Sequence, residues 1–104
     1  MKNLKIIMEL IYYCAKNGLT DVAQILGSNY CNPNFTNLSL QNTFWIAAMN
    51  QHFDTALVLK NCGADIDMID SHGETLMHNV YRRKINNVFN FVLDVGGSPN
   101  IKNS

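Results

Sequence analysis

The feature that most constrains this chain is an internal repeat of 33 residues. The pairs Pro33-Asn34, Ile66-Asp67 and Pro99-Asn100 lie at this constant spacing. Four apolar columns share the register: Ala15, Ala48 and Tyr81; Ala23, Ala56 and Phe89; Ile25, Val58 and Phe91; Leu26, Leu59 and Val92. A fixed period of this length is typical of architectures in which each unit buries its apolar side against a neighbour. The sequence therefore predicts a stack of about three units.

The apolar spacing inside each copy predicts two helices. In the middle copy, Phe44, Ala47 and Ala48 follow a helical spacing, and a second helical run covers residues 56–59. A short polar break separates the two runs, and Gly63 opens a polar loop after the second. Gly63 suits a left-handed helix cap and Gly73 suits a turn, so both are predicted to have positive φ. Small residues on the first helix allow a paired helix to approach closely. Each unit is therefore predicted to be helix, turn, helix, loop, which places the chain in the all-α class.

The motifs in these copies resemble the ankyrin-repeat family, whose unit carries T-P-L-H-x-A and a later G-A-D-x-N. The third copy carries "HGETLMHNV" and "GGSPN", the middle copy "AAMNQHFDTALVLKNCGADID", and the first copy "AKNGLTDVAQIL" and "YCNPN". The resemblance implies one domain over residues 1–104, an ankyrin-repeat α-solenoid of about three helix-turn-helix units joined by β-hairpin-like loops. The repeats are expected at about residues 1–37, 38–70 and 71–104.

Departures from the family pattern concern packing rather than fold. No copy has a proline at the start of its first helix, and the first copy lacks the opening hairpin. Val80 and Tyr81 replace the usual pair of alanines, so the third unit is expected to pack more loosely or to bow outward. Both ends are expected to lack polar caps. The first copy would expose Leu4, Ile7 and Met8, and the third would leave the side of Phe89 and Val92 uncovered.

The charge balance bears on the class of partner. Eight basic and eight acidic side chains cancel, which removes the positive field that nucleic acids and anionic membrane surfaces usually require. The N-terminal apolar run is interrupted by Glu9, has no cleavage motif, and is too short to span a bilayer. Neither nucleic acid nor membrane is expected as a partner.

The three cysteines indicate a reducing compartment. Cys14, Cys31 and Cys62 are odd in number and form no C-x-x-C pair, so neither a disulfide framework nor a zinc knuckle is predicted. Cys14 and Cys31 are expected to be packing thiols, with Cys62 the most exposed of the three. The expected location is cytoplasmic, and delivery into a host cell stays open.

Histidines and aspartates are expected to be structural. The resemblance implies that His78 hydrogen-bonds backbone groups of the hairpin and braces neighbouring repeats, and His52 is interpreted in the same way. His72 lies at a predicted hairpin tip and is a contact candidate. Asp65, Asp67 and Asp70 lack the terminal bidentate acid of a calcium loop, so turn formation explains them better.

Neither an enzyme nor a cofactor is predicted. No cysteine has a histidine and a carboxylate at a recognisable spacing, and the chain has no glycine-rich phosphate loop and no G-x-S-x-G. Trp45, which stands where the family has its bracing histidine, is expected in the core, with a role as a contact residue as the alternative.

The resemblance implies protein binding on a concave surface built from first helices and hairpin tips. Transferred to this chain, the family's contact positions are Tyr13, Lys16, Asn17, Leu38, Ser39, Gln41, Ile46, Met49, Asn50, Ser71, His72, Glu74, Asn79, Arg82 and Arg83. The middle copy is apolar at these positions and the last is charged. This gradient favours a partner with a hydrophobic anchor beside an acidic patch that meets Arg82 and Arg83, although solvated arginines at a helix end explain the pair as well.

Two classes of function fit these observations. The first is a binding module, acting as an adaptor or an inhibitor, that holds a protein partner on its concave face. The second is an assembly subunit, or a fragment of a larger stack, that self-associates through uncapped end repeats and forms a homo-oligomer. Capping of the end repeats is the feature that separates the two classes.

Overall fold

The structure is a computed structural model that describes residues 4–29 and 36–97, except for the side chain of Leu4. This part of the chain forms six helices: α1 (Leu4–Asn17), α2 (Thr20–Asn29), α3 (Thr43–Met49), α4 (Phe53–Asn61), α5 (Leu76–Arg82) and α6 (Asn86–Asp94). The extended pairing in the same ranges is a single antiparallel bridge between Thr36 and Asn42. The predicted all-α repeat fold is confirmed.

The helices form three pairs that stack in chain order. Within each unit the first helix packs on the second, and α1 and α2 also pack on α3 and α4, respectively. All residues of α3 from Thr43 to Ala48 are buried, because this helix lies inside the stack with units on both sides. Trp45 is among them, so its predicted place in the core is confirmed.

The repeat register extends to the backbone conformation of the turns. The turn between the two helices of each unit has a left-handed residue at the same position: Gly18, Gln51 and Lys84, with φ of 74°, 62° and 60°. Only glycine adopts this region without a steric cost, so Gln51 and Lys84 are each strained by about 1 kcal/mol. The positive φ predicted for Gly63 and Gly73 is confirmed, at 112° and 77°.

The third unit approaches the second less closely than the second approaches the first. The backbones of α5 and α3 meet at fewer points than those of α3 and α1, while α6 reaches α3 directly. Val80 is fully buried at a position in register with Ala47, so its larger side chain fills the space between the units. The wider spacing of α5 from α3 is in keeping with the larger Val80, and the looser packing of the third unit remains a prediction.

Aromatic and polar contacts hold the third unit in place. The ring of Phe91 in α6 lies 4.6 Å from that of Phe53 and 6.0 Å from that of Phe44, measured between centroids. The amide of Asn87 donates to Gln51 Oε1 at 2.6 Å. The link between the second and third units therefore depends on α6 more than on a close stack of first helices.

Two predictions about the exposed ends are wrong. Ile7 and Met8 are half-buried because they precede the fully buried Ile11 by four and three residues and share its helix face. At the other end, Val92 is fully buried. Gly97 lies so close to it that a Cβ there would come within 2.6 Å of Val92 Cγ1. The side chain of Leu4 lies outside the described residues.

Within residues 4–29 and 36–97, none of the helices has the length and apolar character needed to span a bilayer.

Candidate functional site

Two hairpin loops of matching construction border the candidate site: the second hairpin (residues 37–41), which opens the second unit, and the third hairpin (residues 70–74), which opens the third unit. Asp70 Oδ1 accepts hydrogen bonds from the backbone N–H groups of His72 and Glu74, at 2.9 and 3.0 Å. Thirty-three residues earlier, Asn37 Oδ1 accepts from the backbone N–H groups of Ser39 and Gln41, at the same two distances. One side-chain oxygen thus satisfies two backbone donors in each loop, which fixes the path of the chain around the tip.

The two tips are joined to each other. The backbone N–H of Ser71 donates to the carbonyl of Ser39 at 3.0 Å. Leu38 is fully exposed on one tip, and the side chain of His72 is 80% exposed on the other. The predicted place of His72 at a hairpin tip is confirmed. The joined tips therefore expose an apolar side chain on one loop and a polar side chain on the other.

An ion pair lies on the inner side of the third hairpin. Glu74 accepts from Arg82 through both carboxylate oxygens, from Nε at 2.9 Å and from Nη2 at 2.8 Å. The amide of Asn79 also donates to Glu74, at 3.2 Å. The bond from Arg82 holds the pKa of the Glu74 carboxyl below its ordinary value of 4.5, and the pKa of Arg82 is raised by the same bond. Glu74 therefore ties the loop to the end of α5.

These elements surround a groove of about 470 Å³. Its lining comes from the second hairpin, the third hairpin and the end of α5: Ser39, Gln41, Asp70, His72, Glu74, Asn79, Arg82 and Arg83. Arg83 is exposed and its described contact is a 3.4 Å bond from Nη1 to Asn79. Among the described residues, the groove thus offers one guanidinium that no carboxylate holds.

The Glu74 pair predicts a pH dependence of stability. A carboxyl whose pKa is lower in the folded chain contributes stability that is present above its unfolded pKa and is lost as the pH falls through the folded pKa. We expect Glu74→Gln to lower the urea midpoint near pH 6, and the difference from the wild type to shrink as the pH falls below about 4.5 and through the lowered pKa of Glu74. Urea titrations at several pH values measure this. A difference that does not change as the pH falls through this acidic range would contradict the assigned role of the carboxylate.

The predicted contact residues differ in exposure. Those that are exposed are Tyr13, Lys16, Asn17, Leu38, Asn50, Ser71, His72, Arg82 and Arg83. Those that are half-buried are Ser39, Gln41, Met49 and Asn79, and those that are buried are Ile46 and Glu74. The groove brings together seven of them, Ser39, Gln41, His72, Glu74, Asn79, Arg82 and Arg83, and the positions on α1 lie elsewhere.

Two expectations about these residues need correction. Ile46 is 8% exposed, because α1 packs on α3, so its side chain belongs to the core. Arg82 was expected to meet an acidic patch of a partner together with Arg83, but Glu74 of the same chain already occupies its Nε and Nη2 atoms. Arg83 is therefore the stronger candidate for an external carboxylate.

His78 acts differently from the prediction, whereas His52 agrees with the predicted bracing of neighbouring repeats. His78 Nδ1 lies 3.0 Å from the hydroxyl of Thr75, which also accepts from the His78 backbone N–H at 3.2 Å. The ring thus contacts the N-cap of its own helix rather than backbone groups of the hairpin. His52 lies over the backbone of Gly18, where a Cβ would come within 2.6 Å of Nδ1. Its role is to fill space between the first two units.

The cysteines and aspartates follow the sequence predictions where they are described. Cys14 is buried, and burial raises the pKa of its thiol, whereas Cys62 is half-buried. Asp65 Oδ1 accepts from the backbone N–H of Asp67 at 2.9 Å, which confirms its turn role. Cys31 lies outside the described residues. Among the residues that are described, no group of three or more His, Cys, Asp or Glu side chains is placed to hold a metal ion.

Asp70 is the groove residue that sequence analysis did not assign to the contact surface. Its side chain is 3% exposed, and it lies at the base of the groove where it holds the loop. The repeat does indicate this role, because Asp70 follows Asn37 by one period of 33 residues and both residue types accept hydrogen bonds from backbone N–H groups in turns.

Comparisons with known proteins agree with the geometry. A family model described as ankyrin repeats, in three copies, matches residues 11–103. No curated protein sequence matches the chain. The matched range includes both hairpins and all of the groove.

Proposed function

Because the chain belongs to the ankyrin-repeat family, whose repeats generally bind other proteins, we propose that it is a protein-binding module that holds its partner in the groove between the second and third hairpins. The observation that carries this proposal is the convergence on one groove of contact positions inferred from two different repeats. The module acts as an adaptor or an inhibitor, by recruiting or sequestering the partner, and has no catalytic role.

The side chains at the groove define the partner's chemistry. Arg83 presents a guanidinium suited to a carboxylate. Leu38 does not line the groove but adjoins its residue Ser39 in the chain; it is fully exposed and suits an apolar side chain. The buried Asp70 and Glu74 carboxylates are already engaged by chain donors and do not require a cation from the partner. The proposed partner is therefore a protein with an acidic residue that enters the groove and an apolar residue that reaches Leu38 beyond it.

Arg83→Glu is the sharpest test of this function. It reverses the charge that faces the partner's carboxylate, so we expect binding to weaken by at least roughly tenfold. Lys84→Glu is a matched control, because it makes the same change in net charge one residue away, at a position outside the groove. Affinity capture with quantitative mass spectrometry identifies the protein, and titration calorimetry then measures its Kd with each variant.

The expected result is a protein retained by the wild type and by Lys84→Glu, and lost with Arg83→Glu and with Leu38→Asp. Circular dichroism verifies that each variant is folded. If the two charge reversals weaken binding equally, the effect is one of net charge and the groove is not the binding site.

A further inference from the structure

The groove contains a carboxylate that already holds one of its two arginines. Arg82 and Arg83 are the arginines of the chain, and both line the groove. Glu74 accepts from Arg82 Nε and Nη2, at 2.9 and 2.8 Å, in the paired geometry by which a guanidinium binds a carboxylate. Glu74 therefore lies where the carboxylate of a partner would bind Arg82.

Several hydrogen bonds fix Glu74 in this position. Its backbone N–H donates to Asp70 Oδ1 at 3.0 Å, and its carbonyl accepts from the Asp70 backbone N–H at 2.8 Å. Its side chain is 11% exposed and also accepts from Asn79 Nδ2 at 3.2 Å. A partner's carboxylate that displaced Glu74 from Arg82 would leave a largely buried charge without its guanidinium. Such an exchange is therefore unfavourable.

Asn79 links Glu74 to the second arginine of the groove. It donates from Nδ2 to Glu74, while its Oδ1 accepts from Arg83 Nη1 at 3.4 Å. Within the described residues, Arg83 thus contacts a neutral amide where Arg82 contacts a carboxylate. The positive charge of Arg82 is balanced inside the chain, and the charge of Arg83 faces the groove.

The second hairpin shows that the loop does not require a carboxylate at the position of Glu74. Gln41 precedes Glu74 by one period of 33 residues, and the loops that end at these residues have matching hydrogen bonds. Met49 stands at the position of Arg82. The ion pair is therefore a feature of the third unit and not a requirement of the repeated fold.

We propose that Glu74 sets the charge selectivity of the groove, which takes a partner segment with a single carboxylate, at Arg83, and gains little from a second one. This inference rests on the proposed function of the groove. A second carboxylate would meet the Glu74 carboxylate together with Arg82, so repulsion would offset the attraction. Acidic clusters are thus not preferred over a single acidic residue.

Two capped peptides of equal length test this selectivity. Each has one leucine and one glutamate, and the residue after the glutamate is glutamine in the first peptide and glutamate in the second. For the wild type, the two Kd values should agree within about twofold. Glu74→Gln frees Arg82, so it should bind the second peptide about fivefold more tightly than the first. Glutamine occurs at the equivalent position of the second hairpin, and circular dichroism verifies the fold.

Asp94→Asn is the matched control, because it makes the same change in net charge at an exposed position at the end of α6, outside the groove. It should keep the wild-type ratio of the two Kd values. An equal change of the ratio in both variants would overturn the inference, because the effect would then be one of net charge. A wild-type ratio in Glu74→Gln would overturn it as well.

A measurement on the wild type does not depend on the folding of a variant. The two arginines give two Nε–H signals in a nitrogen–proton NMR spectrum, and Arg83→Lys assigns them. At pH 6 Glu74 is ionised, because the bond from Arg82 holds its pKa below 4.5. The second peptide should shift the Arg83 signal and leave the Arg82 signal in place.

The outcomes separate this inference from the proposed function. Equal shifts of both arginine signals would overturn the inference and leave the groove as the binding site. If neither signal shifts with the second peptide at about 10 mM, the groove does not bind carboxylates, and the proposed function fails together with the inference.

Discussion

Truncation of Phe91 to alanine is expected to lower the free energy of unfolding by about 3 kcal/mol. Phe91 joins α6 to both helices of the second unit through the rings of Phe53 and Phe44. Because α5 and α3 approach at few points, these ring contacts provide much of the attachment of the third unit. Urea denaturation followed by circular dichroism measures the loss.

The variant should also change where the molecule opens. A repeat is stabilised mainly by its neighbours, so weakening one interface should release the unit beyond it. Amide hydrogen exchange should therefore accelerate in α5 and α6 more than in α3 and α4. Phe89→Ala is a matched control in the same helix. Phe89 is half-buried like Phe91, but its ring contact is with the exposed Tyr81 of the same unit, at 6.0 Å between centroids, so its truncation should cost less and leave the attachment to the second unit intact. Equal losses from both variants would contradict the role assigned to Phe91.

Replacing Asn42 by alanine is expected to cost about 2 kcal/mol. Asn42 is buried, and both polar atoms of its side chain form hydrogen bonds. Oδ1 accepts from the Trp45 backbone N–H at 3.0 Å and caps α3, while Nδ2 donates to the Asp65 carbonyl at 2.9 Å. Alanine removes the cap and leaves that carbonyl without this donor. Thermal and urea denaturation measure the combined effect.

Asn42→Ser separates the two contributions. Serine is a good N-cap but is too short to reach Asp65, so Asn42→Ser should recover about half of the free energy of unfolding that Asn42→Ala loses. If serine is as costly as alanine, the cap contributes nothing. If serine is as stable as the wild type, the bond to Asp65 contributes nothing.

The repeat period allowed much of the fold to be predicted because a stacking architecture uses equivalent positions for equivalent contacts. It indicated the helix pairs, the burial of Trp45 and the positive φ of Gly63 and Gly73. The predicted exposure of Ile7 and Met8 is wrong because both lie on the same helix face as Ile11, which is buried against the next unit.

Other features had no local signal in the sequence. Leu40, Gln51 and Lys84 have positive φ because the surrounding turns impose this conformation. None of the three is a residue type that favours positive φ, so the sequence did not indicate it. The pairing of Glu74 with Arg82 joins a loop to a helix end eight residues away, and only the fold brings them together. Binding roles of the groove residues remain predictions, since they depend on a partner.

The way the two hairpin tips are held affects which substitutions the chain can tolerate. Asn37 and Asp70 hold the loops from below through backbone N–H groups, which every residue except proline possesses. The side chains of Leu38 and His72 take no part in those bonds. A substitution of Leu38 should therefore change the chemistry of the loop surface more than the stability of the scaffold, whereas the ring of His72 also lies 4.0 Å from Asp70 Oδ2.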